Sequence, residues 1–176
     1  SFLEKILKNN LLVRRINIRQ VIPIPNTKME KTGVKLILKH KKEFKHFKYK
    51  VKENIERELL KKMLPKKTVL RDVYTEKHDG KLTFGRQIGS YPLLVGIPGV
   101  FDLGEFFDVK IVDYGYRSIT AVPHPFDINK SSKETIQAIP GIGKKRARKI
   151  IKNRPFKDKN EFLKIIQDID LRSEIY

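Results

Sequence analysis

The chain has no cysteine among its 176 residues. That excludes disulfides, a Cys-ligated zinc site and an iron–sulfur cluster built from this chain alone. It fits a reducing, cytoplasmic compartment. Acidic residues are scarce: 20 Asp and Glu stand against 39 Lys and Arg, a net charge of +19. Such a surplus implies a polyanionic partner, most simply nucleic acid. No apolar run approaches the ~20 residues of a membrane span, and the N-terminus lacks a signal-peptide pattern. The first residue is Ser and not Met, so the sequence reads as processed or as a fragment. Metal and catalytic groupings are missing too. His40 and His46 do not share a helical face as a ligand pair, His78 falls in a turn, and His124 lies between two prolines. No nucleophile stands beside a base, and no carboxylates are paired for hydrolysis. Neither a catalytic residue nor a metal ligand is expected, and the chain alone does not read as an enzyme.

What is present is an ordinary hydrophobic fraction, 39%, enough for globular cores and too much for a disordered tail. The charge is uneven. Residues 1–66 carry 19 Lys and Arg against 6 Asp and Glu, residues 67–128 carry 7 against 8, and residues 129–176 carry 13 against 6. Two basic ends flank a neutral middle. Three parts are expected, with boundaries at 66/67 and 128/129, and an α+β fold overall.

The most informative stretch runs from Ile136 to Ile151. Ile136 and Ile139 give an apolar edge before Pro140, and Ala147, Ile150 and Ile151 give a matching one after it. This predicts two short helices joined by a tight turn at Gly141-Ile142-Gly143. Both glycines are expected to permit positive backbone angles and a close approach. Lys144, Lys145, Arg146, Arg148 and Lys149 follow at once. The second helix therefore starts with free N–H groups, the positive end of its dipole and five cations, an arrangement that suits phosphate. Ile139-Pro140-Gly141-Ile142-Gly143 with Ala147 resembles the helix-hairpin-helix motif of DNA- and RNA-binding proteins. The resemblance implies that Gly141, Ile142, Gly143 and Lys144 hold a phosphate through backbone N–H groups while the other cations add charge. Ser131 is expected to cap the first helix, with Glu134 completing a capping box. Asp158 to Glu161 caps a third helix through Phe162 and Ile166, and Asp168 to Tyr176 reads as a further helical turn.

At the N-terminus, Phe2, Leu3, Ile6 and Leu7 have helical spacing, broken at Asn9-Asn10. Leu11 to Val21 reads as a strand, with Ile16, Ile18 and Gln20 on one face and Arg15, Asn17 and Arg19 on the other. Pro23 and Pro25 end it, and 26–33 reads as loop. Residues 34–38 read equally as strand or helix start. From Lys39 to Leu64 a long basic helix is predicted, striped by Phe44, Phe47, Val51, Ile55, Leu59 and Met63. Its seven lysines between Lys39 and Lys52 read as a solvated face or as an electrostatic rail along a nucleic acid. The apolar face is too narrow to favour a lipid surface.

Between 67 and 128, five short runs with Gly-rich turns predict a small closed antiparallel barrel. The runs fall near Val69–Val73, Leu82–Arg86, Tyr91–Val95, Phe106–Val112 and Arg117–Val122, with turns at Lys77–Gly80, Gly96–Gly99 and Tyr114–Tyr116. Gly85-Arg86, Ile97-Pro98-Gly99, Leu103-Gly104-Glu105-Phe106 and Val109-Lys110-Ile111 resemble the TRAM-type, OB-like barrel of RNA-modifying methylthiotransferases. The run from Leu12 to Val21 resembles the last barrel strand of archaeal radical S-adenosylmethionine proteins that end in a helix-hairpin-helix. Together these imply the C-terminal module of such a protein, with RNA as the favoured partner. They also imply Asn17, Arg19 and Gln20 as pocket-lining candidates. The 4Fe-4S cluster and S-adenosylmethionine belong to a missing N-terminal barrel, since its Cys-X3-Cys-X2-Cys motif is absent here. Arg86, Tyr91, Tyr114, Tyr116 and Arg117 are the barrel's candidates for gripping bases, and an architectural role for the barrel stands beside that reading. A DNA-binding or repair accessory is the alternative to RNA.

Overall fold

A computed structural model describes residues 2–11, 13 and 15–166. The chain divides into two compact units, Ser1–Met63 and Leu64–Tyr176. The turn expected at Asp168 to Tyr176 lies outside the described residues.

In the first unit, α1 (Phe2–Lys8) buries Ile6 and ends where Asn10 adopts φ +53, a left-handed angle that Asn tolerates better than most residues. The expected strand from Leu11 does not form. A strand needs a partner for its N–H and C=O groups, and among the described residues none pairs with this run. Its described residues form no regular element, and over residues 15–20 exposed and half-buried positions alternate. Val13, Ile16 and Ile18 pack on a core of Ile6, Val51, Ile55 and Leu59, while Arg15, Asn17 and Arg19 are exposed. The Ile16 N–H donates to buried Glu56 Oε1 at 2.8 Å, and the Gln20 amide donates to the Ile37 carbonyl at 3.1 Å.

The expected loop at 26–33 is mostly helix, since α2 spans Lys28–Lys39. Gly33 lies within it, and one glycine inside a helix costs only about 1 kcal/mol. Asn26 N–H donates to Glu30 Oε2 at 2.7 Å, which secures the entry. The chain bends at His40 and continues as α3 (Lys41–Val51), a π turn (Lys52–Glu56) and α4 (Arg57–Met63). The stripe explains the wide turn. From Phe47 onward it advances in steps of four, each overshooting an α-helical turn of about 3.6 residues. A turn with i→i+5 bonding takes up the excess. Val51, Ile55 and Leu59 are buried, whereas Phe47 is half exposed, so only the second half of the stripe is core.

In the second unit, β1 (Val69–Asp79), β2 (Leu82–Gln87), β3 (Leu94–Pro98), β4 (Phe106–Tyr114) and β5 (Ser118–Pro123) close a barrel in the order β1–β2–β3–β5–β4. The sheet is mixed, and the all-antiparallel expectation is corrected. β3 and β5 run parallel, with Leu94 opposite Ser118 and Val95 opposite Ile119. Successive strands here reverse direction, and a closed ring with an odd number of such strands must contain a parallel pair. The third strand also starts later than expected. Gly96, Ile97 and Pro98 belong to it, opposite Phe84, Thr83 and Leu82, and the first hairpin turns at Gly80-Lys81.

Three helices follow: α5 (Lys133–Gln137), α6 (Lys144–Lys152) and α7 (Lys159–Ile165). They share a core with the barrel. Val112 and Val122 join Ile136, Ile139, Ile142, Ala147, Ile150, Phe156, Phe162 and Ile166 in one buried cluster. Thr135, fully buried, donates its hydroxyl to the Pro98 carbonyl at 2.6 Å, and Lys81 Nζ pairs with Glu134 Oε1 at 2.6 Å.

Candidate nucleic-acid interface

The hairpin is built by its buried isoleucines. Ile136 and Ile150 are fully buried and Ile139 and Ile142 nearly so. Burying such side chains contributes roughly 1.5–3 kcal/mol each relative to exposure, which fixes α5 against α6. Between them the chain tightens. The Ile142 N–H donates to the Ile139 carbonyl at 3.0 Å, and Gly141 takes φ +86. Arg146 Nη1 donates to the Gly141 carbonyl at 2.9 Å and ties the turn to α6.

The three helix starts differ in one respect. Ser132 caps α5 by accepting from Thr135 N–H at 3.1 Å, so the expected cap at Ser131 moves one residue. Ser131 instead donates to the Asp127 carbonyl, and Glu134 turns to Lys81. Asp158 caps α7 by accepting from Glu161 N–H at 2.9 Å, as expected. α6 has no side-chain cap, because its N-cap residue is Gly143. A β-carbon on Gly143 would meet nothing within 4 Å. The first-turn N–H groups of a helix have no intrahelical partner, so those of α6 stand at the positive end of the dipole without a side-chain cap.

Lys144, Lys145, Arg146, Arg148 and Lys149 are all exposed. Ala147 and Ile150 face the core, so the cations occupy the opposite side. Lys144–Arg148 and Lys145–Lys149 are i,i+4 neighbours, stacked one turn apart. Beside the turn runs a groove of about 470 Å³, lined by 137–143 on one side and by Lys66, Val112 and Asp113 on the other. Lys66 was passed over in the sequence because it precedes the barrel with no motif around it.

The expected phosphate cradle is thereby revised. Gly143 does not use a positive angle; its φ is −83 and ψ 177. Its lack of a side chain matters for access. The Ile142 N–H is already donated and its side chain is buried, so it has no hydrogen left for a ligand. Lys144, Lys145 and Arg146 supply the uncapped first turn instead.

The barrel register gathers Arg86, Tyr91 and Arg117 at one end. β3 and β5 begin side by side, so the loops holding Tyr91 and Arg117 enter together, and β2 ends there with Arg86. Arg86 is ion-paired with Glu76, and Tyr91 is 80% exposed. Tyr114 is withdrawn from the candidates. It is buried and donates its hydroxyl to the Leu64 carbonyl at 2.6 Å, and burial pushes its pKa up. Two exposed rings, Tyr74 and Phe106, were missed, although both sit on the solvent side of alternating strands.

Comparison with known proteins bears on the hairpin. Residues 124–167 match the family model of the helix-hairpin-helix motif. That match supports nucleic-acid binding in general. An uncharacterized protein of Archaeoglobus fulgidus is 44% identical over 154 residues, covering 88% of this chain and 28% of its own length. An uncharacterized protein of Methanocaldococcus jannaschii is 50% identical over 122 residues, covering 68% of this chain and 22% of its own. The chain thus spans about a quarter of the length of these archaeal relatives. No solved structure matches it. Among the described residues no helix is long and apolar enough to cross a membrane.

Proposed function

We propose that this chain is the nucleic-acid-binding part of a longer protein, and that it holds a sugar-phosphate backbone at the N-terminus of α6. The observation that carries this is the uncapped helix start at Gly143. It is open to approach, followed by Lys144, Lys145, Arg146, Arg148 and Lys149, and lies within the matched motif. Contacts of this kind go to phosphate and sugar, so binding is weakly sequence-specific and falls steeply with salt. RNA is the favoured substrate, because the same unit carries a small five-stranded barrel of the OB-like, TRAM-like kind. Barrels of that class bind oligonucleotides, and Arg86, Tyr91 and Arg117 share one of its ends. Duplex DNA bound by the same hairpin is the second reading, favoured by the backbone character of the site. A cytoplasmic location goes with either.

The parent is read as a radical S-adenosylmethionine protein. Two observations favour a large partner surface outside this chain: the relatives are about three times as long, and Phe2, Val21, Ile22 and Ile24 of the first unit are exposed. Asn17 and Arg19 are exposed beside them and are the residues offered towards that barrel; Gln20 is already engaged with Ile37. A 4Fe-4S cluster needs thiolates, and this chain has none, so its residues do not fit one and no step is derived through it. The test of the hairpin compares a labelled tRNA with duplex DNA at two salt concentrations. Wild type should bind tRNA more tightly and lose affinity with salt for both, and Lys144→Glu with Lys145→Glu should weaken both. Affinity unchanged by the double substitution would show that the hairpin is only structural.

A further inference from the structure

On the outer surface of the barrel the strand register puts three side chains in one row. Tyr74 on β1 stands opposite Arg86 on β2 and opposite Phe106 on β4. Directly opposed residues share a face. Here it is the outer face, because Val73 and Thr75, on either side of Tyr74, are fully buried. The Tyr74 and Phe106 rings lie 5.2 Å apart, tilted by 51°, and are 38% and 53% exposed.

The row is held in place. The Thr75 hydroxyl donates to the Asp102 carbonyl at 2.8 Å and accepts from Glu105 N–H at 3.1 Å. Thr75 N–H donates to the Glu105 carbonyl, and its own carbonyl accepts from Gly104 N–H, both at 2.9 Å. The loop leading to Phe106 is therefore tied to β1 next to Tyr74. Gly104 takes φ +82 in that loop. A β-carbon there would come 3.7 Å from the Tyr74 hydroxyl. Arg86 has its charge answered by Glu76. On the next rung Lys77 lies 5.6 Å from the centre of the Phe84 ring.

The surrounding charge says which part of a nucleic acid fits. The strands and loops that carry the row hold Arg71, Lys77 and Arg86 against Asp72, Glu76, Asp102, Glu105 and Asp108, a net negative balance that offers little to a phosphate backbone. Exposed rings and a guanidinium plane stack flat heterocycles, and carboxylates at the edge accept hydrogen bonds from base amino groups. We propose that Phe106, Tyr74 and Arg86 form a stacking platform for unpaired bases of single-stranded nucleic acid, with phosphates left to the hairpin. This inference rests on the nucleic-acid reading of the hairpin and adds single-strandedness to it.

The experiment measures the affinity of the full chain for a short labelled single-stranded RNA and for the matching duplex. The variants are Phe106→Ala, Tyr74→Ala, Phe106→Leu and Phe106→Tyr. Each alanine variant should weaken single-strand binding by roughly five- to a hundredfold and leave duplex binding unchanged. Phe106→Leu, which keeps apolar bulk and guards against misfolding, should lose affinity similarly, and Phe106→Tyr should keep it. Unchanged single-strand affinity in the Ala and Leu variants would overturn the platform. If Lys144→Glu with Lys145→Glu still abolished binding, the hairpin reading would survive. A wild type that binds neither RNA would remove both. Loss of self-association in the Phe106 and Tyr74 variants, with RNA affinity intact, would make the row a protein interface and also overturn the proposal.

Discussion

At Gly141 the backbone has φ +86, a region where a β-carbon is strained whatever room surrounds it. At Gly143 the backbone is extended and the space around a β-carbon is empty. The two glycines are therefore separable by substitution. Gly141→Ala should lower stability by about 1–2 kcal/mol, read from the denaturant midpoint. Gly143→Asp places a favoured capping residue where there is none, and should raise stability by a few tenths of a kcal/mol. The same carboxylate would occupy the N–H groups and repel phosphate, so nucleic-acid affinity should fall by about tenfold or more, some 1.4 kcal/mol. A variant that is more stable and binds less well is difficult to obtain if the hairpin is structural alone. Both glycines were visible in the sequence, but their different angles were not. A Gly-X-Gly string does not say which glycine is bent, because that follows from where the isoleucines on either side find their core.

The α5–α6 pair and the barrel share a core, so an effect on one element reaches the other. Ile150 is fully buried in the cluster that includes Val112 and Val122. Ile150→Ala should cost about 2–5 kcal/mol and shift one joint unfolding transition of hairpin and barrel, followed by circular dichroism. The Lys81–Glu134 contact links the same elements at the surface. The Lys81 hydrogen bond holds the Glu134 carboxyl below its ordinary value of 4.5. A depressed folded-state pKa means the contribution is complete above pH 4.5 and lost as pH falls through the folded value. With Lys81 75% exposed, the contribution is small, about 1 kcal/mol or less. Glu134→Gln should remove that part of the acid dependence and leave stability near pH 7 little changed. At this scale the sequence was legible where pattern and partner agree. β1, β2, β4 and β5 and the cap at Asp158 fall close to where alternation and capping residues place them. It misled where the partner is not local. Ile16 and Ile18 alternate as a strand would, yet they pack on a helical core, and the Ile16 N–H donates to Glu56 there. The barrel's parallel pair is a property of the closed ring and not of any one strand.

For the whole molecule, the charge carries the functional argument. Both basic segments were plain from composition, and the hairpin itself was plain from its residues. The exposed row of Tyr74 and Phe106 was not, because only the β1–β4 register brings residues 32 positions apart onto one rung. Nor does the near-neutral charge of 67–128 say by itself which part of a nucleic acid its surface would take. The lysines of α3, with Lys41, Lys42, Lys45 and Lys50 exposed, still read as a solvated face or a rail. Lys42→Glu with Lys45→Glu separates these: a rail requires weaker RNA binding and a smaller salt slope, whereas a solvated face leaves both unchanged.

The central claim is that the start of α6 takes a phosphate backbone. Its most direct test is the salt dependence of RNA affinity, measured for wild type beside Lys144→Glu with Lys145→Glu. The expected result is a steep linear fall of log affinity with log salt in wild type. The variant should bind more weakly, with a slope shallower by about one for each lysine lost. Equal affinities and equal slopes in the two proteins would contradict it.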